Sequence, residues 1–299
     1  MQVSTKIFNK QAVQTFDDLT AEIQQAQKQI ATGKKIQKPS DDPVLAVRSS
    51  VVKEQLSQAD QHLRNIDLSE VKLSAADSAL DQVQNLTTRA YELSLMASTA
   101  TNAQARQSIA IELEGLLDSI RDLANSTDAS GSALFGGYKV DMTPFVVGSD
   151  GSTSYVGDRG AHSVKISENL RLQTTIDGAE VFQRVPTENG FGSIFTMLDG
   201  MISDLEAGDA SDLPIDDLKS AVAHVADQRA RIGSEMNKAD NQRTVLENRR
   251  LLLTEDISSM EDADIAELVT KLQTLMMNKD AAQQAFARIS QMTLFDLIR

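Results

Sequence analysis

Few side chains in this sequence of 299 residues have the type and the spacing that catalysis or metal binding requires. The three histidines, His62, His162 and His224, are far apart, and no H-E-x-x-H pair occurs. Cysteine is absent, which excludes thiol nucleophiles, disulfides and cysteine-rich zinc sites. The glycine-rich segment 131–137 lacks the Lys-Ser/Thr pair of a phosphate-binding loop. We therefore predict that the protein is not an enzyme and has no catalytic residue, metal site or cofactor.

The acidic side chains cluster in two segments, 204–217 and 255–267. The first contains glycine and proline, so we interpret it as a loop with helix caps. In the second, the carboxylates are spread around several faces of a predicted helix. They lack the alternating oxygens and the central glycine of a calcium loop. We interpret the second cluster as a solvated face or as a break between two helices.

The overall charge and the hydropathy pattern argue against nucleic-acid binding and against membrane-spanning or signal segments. With 29 basic and 43 acidic side chains, the net charge is −14, which disfavours binding to nucleic acids and anionic membranes. No run approaches the roughly 18 apolar residues of a membrane-spanning helix. The first residues lack the apolar core of a signal peptide. We predict no nucleic-acid partner, no membrane span and no cleaved signal peptide.

Both ends of the chain carry the apolar spacing of long helices. Apolar residues from 12 to 30 recur at three- and four-residue steps and predict a first helix that stops at Gly33. Asp42 is a suitable N-cap and Pro43 a suitable first residue for a second helix, whose heptads run through 45–93. Further helices are predicted at 109–123, 191–205, 215–260 and 265–289. The seam of the 215–260 helix includes Arg229, Arg243 and Arg250, whose aliphatic stems can cover apolar surface.

The middle of the chain has a different composition. Most of the glycines lie between 131 and 192, and short β-prone runs separate them. The runs cover 145–147, 163–166, 172–176 and 179–182, with turn signals at 149–151 and 176–178. We predict a small antiparallel sheet that is inserted between the helices.

These patterns predict a mainly α fold, in which an elongated bundle of long coiled-coil-like helices from both chain ends carries a small inserted antiparallel β domain. Helices of more than 40 residues are too long for an ordinary compact domain, so the two ends of the chain are expected to pair. The predicted domains are a terminal helical domain (1–38 and 260–299), a helical rod (39–133 and 191–259) and the β domain (134–190).

The two terminal helices carry apolar stripes, which are the candidate assembly interface. The stripe residues are Phe8, Phe16, Leu19, Ile23, Ile30, Leu268, Leu272, Leu275, Phe286, Ile289, Met292, Leu294, Phe295 and Leu297. The stripes either fold back and bury each other within one chain, or stay unpaired until they meet copies of the chain or another partner. Periodicity alone leaves both alternatives open.

A short motif between the first two helices resembles a known family. The segments ATGKKI (31–36) and PSDDP (39–43) are similar to the N-terminal signature of bacterial flagellins and their hook–filament junction relatives. The segments 134–145, 155–158, 176–182 and 289–298 look more like the junction proteins than like flagellins. The final Asp-Leu-Ile-Arg, after Phe295, departs from the pattern of the junction proteins. The residues of the family turn are Gly33, Pro39, Ser40, Asp41, Asp42 and Pro43.

The resemblance implies a structural protein of the bacterial flagellum that is secreted by type III export and acts in motility. It implies that copies of the chain self-assemble into a ring at the hook–filament junction. The implied partners are copies of itself, hook-associated protein 1, flagellin and a cytoplasmic export chaperone. Flagellin itself, the filament subunit, is the alternative. A generic coiled-coil scaffold would explain neither the Ser-Asp-Asp-Pro turn nor the β insertion.

Overall fold

The computed structural model describes most of the chain and divides it into two compact units. The backbone is described at 2–149, 151–211 and 213–295, and the side chains at 7–149, 151–211 and 213–288. The first unit comprises 1–58 and 249–299, and the second comprises 59–248. The predicted division into three domains stays a prediction.

Within the described residues the chain forms seven helices and six three-residue strands. They are α1 (Gln2–Thr32), α2 (Pro43–Thr99), α3 (Ala103–Ala124), β1 (Phe145–Val147), β2 (Thr153–Tyr155), β3 (Ser163–Lys165), β4 (Arg171–Gln173), α4 (Gly178–Phe182), β5 (Val185–Thr187), β6 (Gly190–Gly192), α5 (Ile194–Glu206), α6 (Ile215–Glu261) and α7 (Ile265–Phe295). The prediction of a mainly α fold with a small antiparallel β region in the middle is confirmed.

The first unit is built from α1, α7, the start of α2 and the end of α6, and its helix ends are those that the sequence predicts. Gly33 has a φ of +68° and donates its N–H to the Gln29 carbonyl at 2.8 Å, which ends α1. The Asp42 carboxylate accepts the N–H of Leu45 at 2.9 Å, so Asp42 caps α2 and Pro43 is its first residue. Both boundaries are therefore set by local capping.

The second unit packs α3 against α5 and buries the apolar seams of α2 and α6. Asn102 caps α3 by accepting the N–H of Ala105 at 2.6 Å. Fully buried members of this core include Ile66, Leu80, Leu93, Leu113, Ile120 and Leu218. Each aliphatic side chain of this kind stabilises the folded state by roughly 1.5–3 kcal/mol before the entropy of ordering is counted.

Two of the seam arginines of α6 form ion pairs with α2, which adds to the stem packing that the sequence predicts. Arg229 contacts Asp77 at 3.1 Å and Asp81 at 2.7 Å. Arg243 contacts Asp67 at 2.8 Å and also pairs with Glu70. Arg229 and Arg243 therefore connect the two helices through charge, whereas Arg250 is exposed, and the packing of the aliphatic stems stays a prediction.

The β region consists of separate hairpins, which differs from the single small sheet expected from the sequence. The antiparallel pairs are β1 with β2, β3 with β4, and β5 with β6. The turn predicted at 149–151 does join β1 to β2, although residue 150 lies outside the described part of the chain. The hairpin β5–β6 was not predicted, and the predicted helix at 191 starts three residues later, at Ile194.

The segment 179–182, predicted as a strand, is instead the short helix α4. Asp177, predicted in a hairpin turn, is its N-cap and accepts the N–H of Ala179 at 2.9 Å. Val181 and Phe182 favour strands by propensity. Both side chains are fully buried, so tertiary packing outweighs that preference.

Four phenylalanines form the core beneath the hairpins. Phe145 contacts Phe182 and Phe195, with ring centroids 5.2 Å apart in both pairs. Phe135 packs edge-on against Phe182 at 5.4 Å. All four side chains are fully buried. In a chain with only 4% aromatic residues, this cluster concentrates much of the available aromatic area at one place.

Candidate assembly site

The aromatic ends of the two terminal stripes pack against each other within one chain. The Phe286 ring of α7 stacks on Phe8 at 6.0 Å and meets Phe16 edge-on at 5.9 Å. Farther along the pair, Ile23 of α1 and Leu275 of α7 are buried. These contacts favour the alternative in which the stripes fold back and cover each other.

The remaining stripe residues divide into two groups. Leu19, Ile30, Leu268 and Leu272 are half-buried. The side chains of Ile289, Met292, Leu294, Phe295 and Leu297 lie outside the described residues. The use of the stripes as an assembly interface stays a prediction.

A second set of apolar side chains on the first unit remains exposed, and the sequence analysis missed it. Val44 of α2 is 81% exposed and Met277 of α7 is 71% exposed. The other members are Ile7, Val13, Val47, Val51, Leu251, Leu252, Ile265, Val269 and Met276. Part of this set could have been found in the sequence, because Val44, Val47 and Val51 recur at three- and four-residue steps beside the predicted seam of the second helix. We call this set the outer apolar surface.

The family turn lies between α1 and α2 and is stabilised by its own carboxylates. The Asp41 carboxylate accepts the N–H of Gln37 at 3.0 Å and that of Lys38 at 2.9 Å. These hydrogen bonds, from Lys38 first and then from Gln37, hold the pKa of Asp41 below its usual value. Pro39 and Ser40 are exposed. The motif therefore shapes a connection, and it offers no constellation for chemistry.

Glu261 belongs to the acidic cluster that the sequence analysis assigned to a solvated face or a break between two helices. It is the last residue of α6, where a helix does end, but its side chain is only 10% exposed. Its carboxylate pairs with Lys34 at 2.9 Å and also contacts Lys53 and Ser49. The partners lie more than 200 positions away in the sequence, so no local pattern could reveal them.

Chemical features elsewhere in the described residues are sparse. No group of three or more His, Asp or Glu side chains there is placed to hold a metal ion. In the second unit, a cavity of about 180 Å³ lies between the β region and α6 and is lined in part by Gln173, Asp177 and Gln228. Burial raises the pKa of Asp177, whose carboxylate caps α4. None of the described helices is both long and apolar enough to cross a membrane.

Comparison with known families identifies the helical ends. Residues 3–140 match the bacterial flagellin N-terminal helical region, and residues 215–298 match the bacterial flagellin C-terminal helical region. The chain belongs to the bacterial flagellin family. The two matches include almost all of α1 and the whole of α2, α3, α6 and α7, and they leave out most of the β region.

The full-length relatives point to one branch of that family. The chain is 28% identical to flagellar hook-associated protein 3 of Escherichia coli over 99% of both chains. It is 27% identical to hook-associated protein 3 of Salmonella typhimurium over 100% of both chains. A flagellin of Bacillus subtilis is 25% identical over 95% of both chains.

Solved structures support the fold. The chain superposes on FlgL of Xanthomonas campestris with a TM-score of 0.64 at 19% sequence identity. The match covers 69% of this chain and 99% of the other. At this identity the likeness concerns the arrangement of helices and hairpins and nothing finer.

Proposed function

We propose that this chain is a structural subunit of the hook–filament junction of the bacterial flagellum. Copies of it would assemble into a ring that joins the hook, through hook-associated protein 1, to the flagellin filament. The observation that carries the proposal is the similarity to hook-associated protein 3 over the whole length of the chain. A flagellin of Bacillus subtilis matches over almost the same length, so it is the higher identity to two hook-associated protein 3 chains that favours the junction over the filament.

The physical features of the first unit support assembly by helical surfaces. The outer apolar surface consists of large side chains on α1, α2, α6 and α7 that are exposed in the single chain. These side chains are candidates for contacts with other subunits, because apolar area that stays exposed in a single chain can be buried on assembly. Heterologous contacts between identical subunits produce rings or helical assemblies, and a ring is the form that we propose for the junction.

The proposal also assigns roles to regions and partners. The terminal domain (1–38 and 260–299) would form the inner tube of the assembly, and the helical rod (39–133 and 191–259) would carry the β domain. The β domain (134–190) would face outward. Before assembly a cytoplasmic chaperone would bind the chain, which would then pass through the type III flagellar export channel.

Immunogold electron microscopy of intact flagella tests the location. The antibody should be raised against the β region, whose residues 145–173 include two hairpins. We expect label in a single band between hook and filament. Label along the whole filament would contradict the junction role and make the chain a flagellin, the alternative that the Bacillus subtilis relative supports.

A further inference from the structure

Two chain connections run side by side in the first unit. One links α1 to α2, and the other links α6 to α7. Lys34 and Asp262 form an antiparallel bridge between them. The Lys35 N–H donates to the Glu261 carbonyl at 2.7 Å, and the Ala263 N–H donates to the Gly33 carbonyl at 2.9 Å. Each connection therefore supplies one backbone donor and one backbone acceptor to the other.

The Glu261 side chain adds contacts to both sides of this crossing. Its Oε2 accepts from the Lys34 ammonium of the first connection. Its Oε1 contacts the Lys53 ammonium and the Ser49 hydroxyl, both on the first turns of α2. One carboxylate at the end of α6 thus contacts the α1–α2 connection and the body of α2 at the same time.

The Glu261 carboxylate has little access to water, which increases the importance of each of its contacts for stability. Ser49 is buried, and the Glu261 side chain is nearly so. A carboxylate withdrawn from water is unfavourable unless cations and hydrogen-bond donors surround it. If one donor is lost, water cannot readily take its place, and the folded state is destabilised. The hydrogen bonds from Lys53 and then Ser49, with a further one from Lys34, lower the pKa of Glu261 to about 2. The group is therefore charged throughout the neutral range.

We propose that Glu261 is a latch that couples the two connections, so that α1 and α7 are held as one pair against the start of α2 and the end of α6. Without the carboxylate, the bridge between Lys34 and Asp262 would open, and both terminal helices would gain freedom together. The proposal concerns a single chain and does not depend on which flagellar structure that chain enters.

Amide hydrogen exchange on the full chain in its monomeric state tests the latch. In Glu261→Gln, the Lys35 and Ala263 amides should exchange at least about tenfold faster, since a buried interaction of this kind limits local opening. Peptides from α1 and α7 should lose protection in parallel, while α3 and α5 keep theirs. Glu255→Gln is the matched control, because Glu255 is an exposed glutamate on the same helix.

Two further measurements separate a latch from general destabilisation. Lys53→Met, a milder change that leaves the carboxylate in place, should accelerate the same two amides. In the wild type, 1 M NaCl should accelerate them by less than the substitution does, because a partly buried ion pair is screened only in part, and in Glu261→Gln salt should have little additional effect. Unchanged exchange at Lys35 and Ala263 in Glu261→Gln would overturn the proposal. Faster exchange at only one of the two amides would also overturn it, because coupling requires both.

Discussion

Replacement of Phe286 by alanine should loosen the pairing of α1 with α7 without unfolding the second unit. Phe286 is half-buried and contacts both Phe8 and Phe16. An aromatic pair contributes about 0.5–1.5 kcal/mol beyond area burial. A fully buried phenylalanine costs about 3–5 kcal/mol when truncated to alanine, and a half-buried one costs correspondingly less. We expect a loss of about 2 kcal/mol in the local stability of the pair.

The assay is hydrogen exchange followed by mass spectrometry of peptides from each helix. A loss of about 2 kcal/mol corresponds to roughly thirtyfold faster exchange where local opening limits the rate. The acceleration should appear in the α1 peptide that contains Phe8 and Phe16, although the substitution is in α7. Met277→Ala is the matched control, because Met277 lies on the same helix and is 71% exposed.

Two results would refute the reasoning. If α1 keeps its protection in Phe286→Ala, the two stripes do not stabilise each other in the free chain. If Met277→Ala accelerates exchange as much as Phe286→Ala, the loss of any large side chain of α7, and not the aromatic contact, determines the exchange rate.

Three other predictions concern pH, the β region and the chain end. The pKa of Glu261 is lowered to about 2 from an ordinary 4.5, so the stability that this carboxylate contributes is present above pH 4.5 and disappears as the pH falls towards 2. In urea unfolding, the free energy of unfolding of the wild type should fall by about 2 kcal/mol more over this pH range than that of Glu261→Gln. This figure is smaller than the full pKa shift implies, because Lys34 and Lys53 are about half exposed. Phe182→Ala should lower stability by about 3–5 kcal/mol in thermal unfolding, because that ring contacts Phe135, Phe145 and Phe195; Phe191→Ala, at a position that is 65% exposed, should change it by less than about 1 kcal/mol. Deletion of residues 290–299 should abolish junction assembly in a motility assay while circular dichroism keeps its helical signal; a truncated chain that still supports filament growth would contradict the assembly role of the terminal stripes.

The helices could be predicted from the sequence because their determinants are local. Gly33 stops α1, Asp42 caps α2, and the 3–4 spacing of apolar residues marks each seam. The family turn was recognisable for the same reason, since its hydrogen bonds join residues only three or four positions apart.

The features that escaped prediction depend on distant parts of the chain. The segment 179–182 became a helix because buried packing around Phe182 outweighs strand propensity. Glu261 resembled one more surface carboxylate, since its partners Lys34, Lys53 and Ser49 come from the other end of the sequence. Whether the stripes of α1 and α7 cover each other within one chain was also left open, because that depends on how the two helices meet.

The ion pairs between α2 and α6 in the second unit have a consequence for alignment. Heptad seams repeat every seven residues, so two long helices can slide by one heptad and still match apolar residues. Arg229 and Arg243 stand two heptads apart on α6, with Met236 between them, and each arginine meets acidic side chains of α2. A slip of seven residues in either direction would bring Met236 opposite one of these acidic groups and leave carboxylates without their guanidinium. The charges thus select one register among several that the apolar pattern alone would allow.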